Sequence, residues 1–208
     1  MSRLHLFDMD GTLIRGSSAC LEIARELGLV AHFQALERDL SAGLIDAPGY
    51  AVAAYQKFES LSEAQVAAAF AGAPWLRGIR EVWADIRERG EFCAVISLSP
   101  NFFVERLREW GAHEARASVF PRMPFAGAEL DPSGILRPET KVRVAEELCA
   151  RFGVPPQRCV AYGDSLSDAP LFATVPTAVA INADHHVNDL ASHSYSGNDL
   201  REAYALVR

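Results

Sequence analysis

Leu4-His5-Leu6-Phe7 runs directly into Asp8-Met9-Asp10-Gly11-Thr12-Leu13, an apolar segment of strand length that ends on two carboxylates and a glycine. A short apolar run bounded by turn residues has the character of a strand buried on both faces, and glycine after the second acid lets the backbone turn sharply. Two acids at that spacing repel one another unless a proton or a cation intervenes. Three more runs have the same character: Phe92 to Ile96, Cys159 to Tyr162 and Ala178 to Ile181. Between them lie helical periodicities ending in glycine. Ile79, Val82, Trp83 and Ile86 precede Gly90, Phe103, Val104, Leu107 and Trp110 precede Gly111, and Val142, Val144, Ala145 and Leu148 precede Gly153. The alternation predicts an α/β fold, a doubly wound, Rossmann-like parallel sheet.

Roughly eighty residues separate the first of these strands from the second, far more than one crossover helix needs. They read as helices only: Leu21 to Leu27 ahead of Gly28, Phe33 to Leu40 ahead of Gly43, Tyr50 to Phe58, and a capping box at Ser62-Glu63-Ala64-Gln65. The expectation is a helical cap over residues 16–74, with residues 1–15 and 75–208 forming the core. An insertion at the carboxyl end of a parallel strand sits over the place where such sheets bind ligands. The stretch from Phe120 to Pro138 carries Pro121, Pro124, Gly127, Pro132 and Gly134, which breaks any helix and predicts a hairpin.

A second acidic pair, in Gly163-Asp164-Ser165-Leu166-Ser167-Asp168, follows another apolar strand. Parallel strands deliver their carboxyl ends to one edge, so Asp8, Asp10, Asp164 and Asp168 should converge there. Several carboxylates with few bases between them ask for a hard divalent cation, and oxygen ligands suit Mg²⁺. After the second strand, Ser97-Leu98-Ser99-Pro100-Asn101 offers hydroxyls and free backbone N–H groups for a phosphate. Lys141 opens the helix before the third strand.

These residues, in this order, resemble the haloacid dehalogenase superfamily of phosphohydrolases, and the helical insert resembles the cap of its phosphoserine phosphatase-like branch (subfamily IB). The resemblance implies that Asp8 is the nucleophile forming an aspartyl-phosphate and that Asp10 is general acid, then general base. It implies Mg²⁺ held by the Asp8 carboxylate, the Asp10 carbonyl and Asp164, and phosphoryl oxygens bound by Ser97, Lys141 and the N–H group of Leu98. Asp168 would orient Lys141 or a metal-bound water, Gly11 would shape the turn, and the Thr12 hydroxyl would order Asp10. The implied activity is Mg²⁺-dependent hydrolysis of a small phosphomonoester. Transfer of the phosphoryl group to an alcohol, and a non-catalytic receiver-like module, are the alternatives.

The branch also implies a cap glutamate for the ammonium group of phosphoserine and a cap arginine for its carboxylate. The first position falls here on Ser17 or Ser18 and the second near Ala53, so neither charge is present. A zwitterionic head would lose hydration without a partner. The expected substrate is therefore a different small phosphorylated metabolite, with Ser18, Tyr50, Tyr55 and Lys57 as pocket candidates. Lys57, the one lysine of the insert, also leaves open the cap-lysine phosphonate cleavage that the superfamily contains.

Composition narrows the partners. The chain has 208 residues with 20 basic and 27 acidic side chains, a net charge of −7, and the bases do not cluster, which disfavours nucleic acid and an anionic membrane. The charge-free stretch from Ala169 to Ala183 is interrupted by Pro170 and Pro176 and is too short to span a bilayer. No CxxC pair occurs among Cys20, Cys93, Cys149 and Cys159, so buried free thiols and a cytoplasmic location are expected. His185, His186 and His193 lie in a polar stretch that reads as surface loop and short helix. Nothing in the sequence bears on oligomeric state.

Overall fold

β1 (Leu4–Phe7) is buried at every position, as a strand covered on both faces must be. In the computed structural model, which describes residues 2–125 and 127–208, four helices follow it: α1 (Ala19–Leu27), α2 (Val30–Ser41), α3 (Ala47–Tyr55) and α4 (Glu63–Gly72). The chain then runs through α5 (Ile79–Glu88), β2 (Phe92–Pro100), α6 (Asn101–Val104), β3 (Glu114–Ser118), α7 (Thr140–Phe152) and β4 (Cys159–Gly163). It closes with α8 (Ala169–Phe172), β5 (Thr177–Ile181), α9 (His185–Asn188), β6 (His193–Tyr195) and α10 (Leu200–Ala205). The six strands form one parallel sheet in the order β3-β2-β1-β4-β5-β6. Chain direction across the sheet reverses between β1 and β4, so a crevice opens at the carboxyl ends of those two strands.

Alternate residues of each strand face opposite layers. Phe7, Cys93, Val95, Val160, Tyr162, Val179 and Ile181 share one apolar cluster with α5 and α10, and that cluster continues into the insert through Ile23, Phe33, Phe58, Val66 and Phe70. Leu4, Leu6, Ala94, Ile96, Ala161 and Ala180 face the other layer, against Val144 and Leu148 of α7 and Phe172 of α8. Local signals fix the insert. Ser18 caps α1 by accepting from the Leu21 N–H, Gly28 ends that helix with φ 69°, and Ser62 with Gln65 forms the capping box of α4. The chain leaves and re-enters the sheet layer side by side, since the Arg15 N–H donates to the Pro74 carbonyl and the Leu76 N–H to the Leu13 carbonyl.

Two expectations change. The hairpin predicted over Phe120 to Pro138 is absent among the described residues, where only a 3-10 turn, Pro132–Gly134, is regular. Prolines remove the donors a ladder needs. The segment is held instead by the Tyr55 hydroxyl donating to the Ala128 carbonyl at 2.7 Å and by Tyr55 ring contacts with Phe120 and Phe125. Strand β2 also continues through Ser97-Leu98-Ser99 to Pro100, where a turn was expected.

At the amino end of the sheet, His5 is fully buried, with Nδ1 2.9 Å from the Tyr162 hydroxyl and Nε2 3.0 Å from Glu91 Oε2. Burial lowers its pKa to about 4, against the opposing pull of Glu91. Between pH 6.5 and 4 the unfolded chain therefore binds a proton that the folded chain refuses. The stability this histidine supports is complete above pH 6.5 and is lost as pH falls toward 4, by up to about 3 kcal/mol. Melting temperatures measured from pH 7 to pH 4.5 should fall less steeply in His5→Gln than in the parent.

Candidate active site

Asp8 leaves β1 with its N–H donating to the Tyr162 carbonyl at 2.9 Å, which pins its side chain at the crevice between β1 and β4. Asp8 Oδ1 accepts from Lys141 Nζ at 2.7 Å, and the same ammonium donates to Asp168 Oδ1 at 2.6 Å. Lys141 is 1% exposed and Asp168 1%, so this is a buried ion pair rather than a surface bridge. Burial alone would lower the lysine pKa, but Asp168 and Asp8 together raise it, and the ammonium stays charged. Asp168 Oδ2 in turn accepts from the N–H groups of Asp164 and Ser165 at 3.1 and 3.3 Å. Both of its oxygens are thus occupied, and Asp168 holds the lysine and the loop together. Gly163 is required for this: a Cβ there would lie 2.3 Å from Asp168 Cγ.

Asp10 points away from that pair. Its Oδ1 accepts from the Ala19 N–H at the start of α1 at 2.7 Å, and its Oδ2 from the hydroxyls of Ser97 at 3.1 Å and Ser99 at 2.7 Å. Burial raises its pKa, and the three donors oppose that without cancelling it. Gly11 turns the chain with φ 78°, and a Cβ at that position would sit 2.1 Å from Asp164 Oδ2. Thr12 was expected to order Asp10; its hydroxyl instead donates to Asp164 Oδ1 at 3.1 Å, because the turn swings it toward β4.

Carboxylate oxygens of Asp8, Asp164 and Asp168 lie within 4.8 Å of one another. Three negative charges against the one of Lys141 leave an excess of two. Burial, then repulsion from Asp168, pushes Asp164 up to about 7, and burial raises Asp8 well above the ordinary carboxylate range. An oxygen-only donor set with that excess fits a hard divalent cation such as Mg²⁺, and since Asp168 is fully hydrogen-bonded, Asp8 and Asp164 are the side chains free to hold it.

Above these groups is a cavity of about 280 Å³. Asp8, Asp10, Leu98, Ser99, Ser165 and Ser167 form its floor, and Ser18, Cys20, Glu37, Leu40, Tyr50 and Ala51 of the insert line it from above. Of the predicted pocket residues, Ser18 and Tyr50 reach the cavity, whereas Tyr55 and Lys57 do not line it. Tyr55 is committed to Ala128, and Lys57 is exposed just past the end of α3. Ser97 is fully buried beneath Ser99. Among the lining residues that were not predicted, Ser99 and Glu37 carry the most chemistry. Ser99 was visible as a second hydroxyl in the turn already quoted, while Glu37 has no local signal, because its place depends on how α2 packs beside α1. The histidines are elsewhere: His185 and His186 open the exposed α9, and His193 begins β6. All four cysteines are free and buried, and no helix among the described residues is long and apolar enough to cross a membrane.

Residues 5–173 match the sequence model of haloacid dehalogenase-like hydrolases. The phosphoserine phosphatase of Idiomarina loihiensis is 26% identical over 211 residues, covering 100% of this chain and 94% of that protein. That of Archaeoglobus fulgidus is 26% identical over 202 residues, covering 95% of this chain and 58% of the longer relative. A solved phosphoserine phosphatase in complex with substrate shares the fold, with a TM-score of 0.84 at 21% identity over 100% of this chain and 99% of that one. The match over most of the chain, on a parallel sheet that carries the acids at its crevice, places this protein in the haloacid dehalogenase-like hydrolase family, in the branch that resembles phosphoserine phosphatases.

Proposed function

We propose that the chain is a Mg²⁺-dependent phosphatase that hydrolyses a small phosphomonoester through a phospho-aspartate on Asp8. The observation that carries this reading is the position of Asp8: a buried carboxylate on the cavity floor, with Lys141 on one oxygen and Asp10 two residues away on a separate set of donors. The Asp8 carboxylate attacks phosphorus as the bond to the leaving oxygen breaks, and Asp10 gives that oxygen its proton. Water then attacks the phospho-aspartate, Asp10 takes the proton back, and the Asp8 carboxylate leaves. The raised pKa of Asp10 suits the first role. Lys141 and the Leu98 N–H are the donors for the phosphoryl oxygens, and the Ser97 and Ser99 hydroxyls, which donate to Asp10 in this structure, would join them by turning toward the phosphate. Bound Mg²⁺, held by Asp8, Asp164 and the Asp10 carbonyl, would supply the positive charge that lets an anionic nucleophile meet an anionic ester.

Residues 16–74 act in this reading as a cap domain that closes the cavity over a core of residues 1–15 and 75–208. The paired crossing at Arg15 and Pro74 supports that boundary. Four unpaired thiols suit a cytoplasmic workplace. Phosphoserine is a poor fit, because among the described residues no arginine or lysine of the insert lines the cavity to meet its carboxylate. The test is phosphate release from a panel of phosphorylated amino acids, amino alcohols, polyols and sugars, with Mg²⁺ and with chelator. Mg²⁺-dependent release from a small monoester other than phosphoserine is expected; release unaffected by chelator, or phosphoserine as the clear best substrate, would refute it.

A further inference from the structure

Glu37 enters the cavity from α2, and no step assigned to Asp8 or Asp10 uses it. The Ser18 hydroxyl at the cap of α1 donates to Glu37 Oε1 at 2.5 Å, fixing the carboxylate between two helices of the insert. It is the one carboxylate of the cavity lining besides the two aspartates, among the described residues, and it comes from the insert, whereas they come from the end of β1. Around it the wall is apolar or neutral. Leu40, Ala51 and Phe120 supply hydrocarbon, and burial keeps Tyr50 and Cys20 protonated. Arg38, next on α2, lines only the open groove on the outer side of Glu37. Burial raises the Glu37 carboxyl, and nearby Asp10 adds to the effect. A half-buried carboxylate with no cation beside it, in a cavity whose floor takes a phosphate, is matched by a ligand whose far end is positive and carries no second acid.

We propose that Glu37 is the specificity-determining residue, and that it receives the ammonium group of a phosphorylated amino alcohol that lacks a carboxylate. The assignment rests on the phosphatase reading above. Its test is steady-state kinetics with Mg²⁺ on O-phosphoethanolamine, on 2-hydroxyethyl phosphate, in which a hydroxyl replaces the ammonium, and on O-phosphoserine, with 4-nitrophenyl phosphate as reference. The parent protein should favour the amine over the diol by about tenfold or more in kcat/KM, and over phosphoserine as well. In Glu37→Gln the amine-to-diol ratio should fall to within about twofold of one, mainly through KM, and Glu37→Asp should keep part of the preference. Equal kcat/KM for amine and diol in the parent, an unchanged ratio in Glu37→Gln, or phosphoserine as the best of the three would overturn it. Loss of hydrolysis of every ester, the aryl phosphate included, would overturn the phosphatase reading itself. Should Glu37→Gln fail to fold, the parent ratio and the Glu37→Asp protein still decide.

Discussion

Asp8→Asn should lose multi-turnover hydrolysis by about four orders of magnitude while its metal-free melting temperature holds or rises. The two halves of this expectation have one cause. Asp8 is 7% exposed, and burial raises its pKa well above the ordinary range, so the fold carries the free-energy cost of keeping this carboxylate charged. Asparagine preserves the shape and the acceptor for Lys141 Nζ, now 2.7 Å away, and removes the charge that costs stability. Lys141 retains Asp168 as its counter-ion. The nucleophile is gone, because an amide oxygen forms no stable acyl-phosphate analogue of the intermediate. Mg²⁺ should also raise the melting temperature less than in the parent, since one of the two free carboxylates is missing. Melting curves with and without Mg²⁺, beside activity on any competent ester, check all three points. Near-parental turnover would show that Asp8 is not the nucleophile.

The same electrostatic logic explains which parts of the molecule could be read in advance. β1, β2, β4 and β5 carry apolar runs because both their faces are covered, and the acids that end β1 and β4 must meet because parallel strands share a carboxyl edge. β3, Glu-Ala-Arg-Ala-Ser, and β6, His-Ser-Tyr, have no such run. They are the two outer strands, where charge and short length protect an exposed edge from further pairing, so they look like loop. The four helices of the insert were visible from caps and periodicity, but periodicity says only which face is buried. Whether Glu37 meets solvent or Ser18 is set by the packing of α2 against α1, and no local pattern encodes it. That is why a cavity expected to lack a cap carboxylate contains one. Thr12 teaches the same lesson on a smaller scale: its hydroxyl was near two acids in prospect, and the positive φ of Gly11 directs it to Asp164.

Lys141→Met should damage both stability and activity, in contrast to Asp8→Asn. Methionine fills a similar volume with no charge, and leaves Asp8 and Asp168 buried, 7% and 1% exposed, with no cation between them. Removing one partner of a buried ion pair typically costs about 3 to 5 kcal/mol, because the carboxylates left behind must either stay charged in a poor solvent or bind a proton. Asp168 would then lose its hold on Lys141 but keep the Asp164 and Ser165 N–H groups, so the loop after β4 should persist and the fold should survive. Hydrolysis should fall by at least about a hundredfold, since a charged donor to the phosphoryl oxygens is lost from a water-poor site. The decisive measurement is the double variant. If the cost of Lys141→Met comes from uncompensated carboxylates, adding Asp8→Asn removes one of them and should stabilise the Lys141→Met protein in urea denaturation by about 1 kcal/mol or more beyond what Asp8→Asn does in the parent, a coupling of the size found for residues in direct contact. An Asp8→Asn effect of the same size in the parent and in Lys141→Met would mean that the lysine stabilises through its packed methylenes instead, and that its charge is not what holds Asp8 in place.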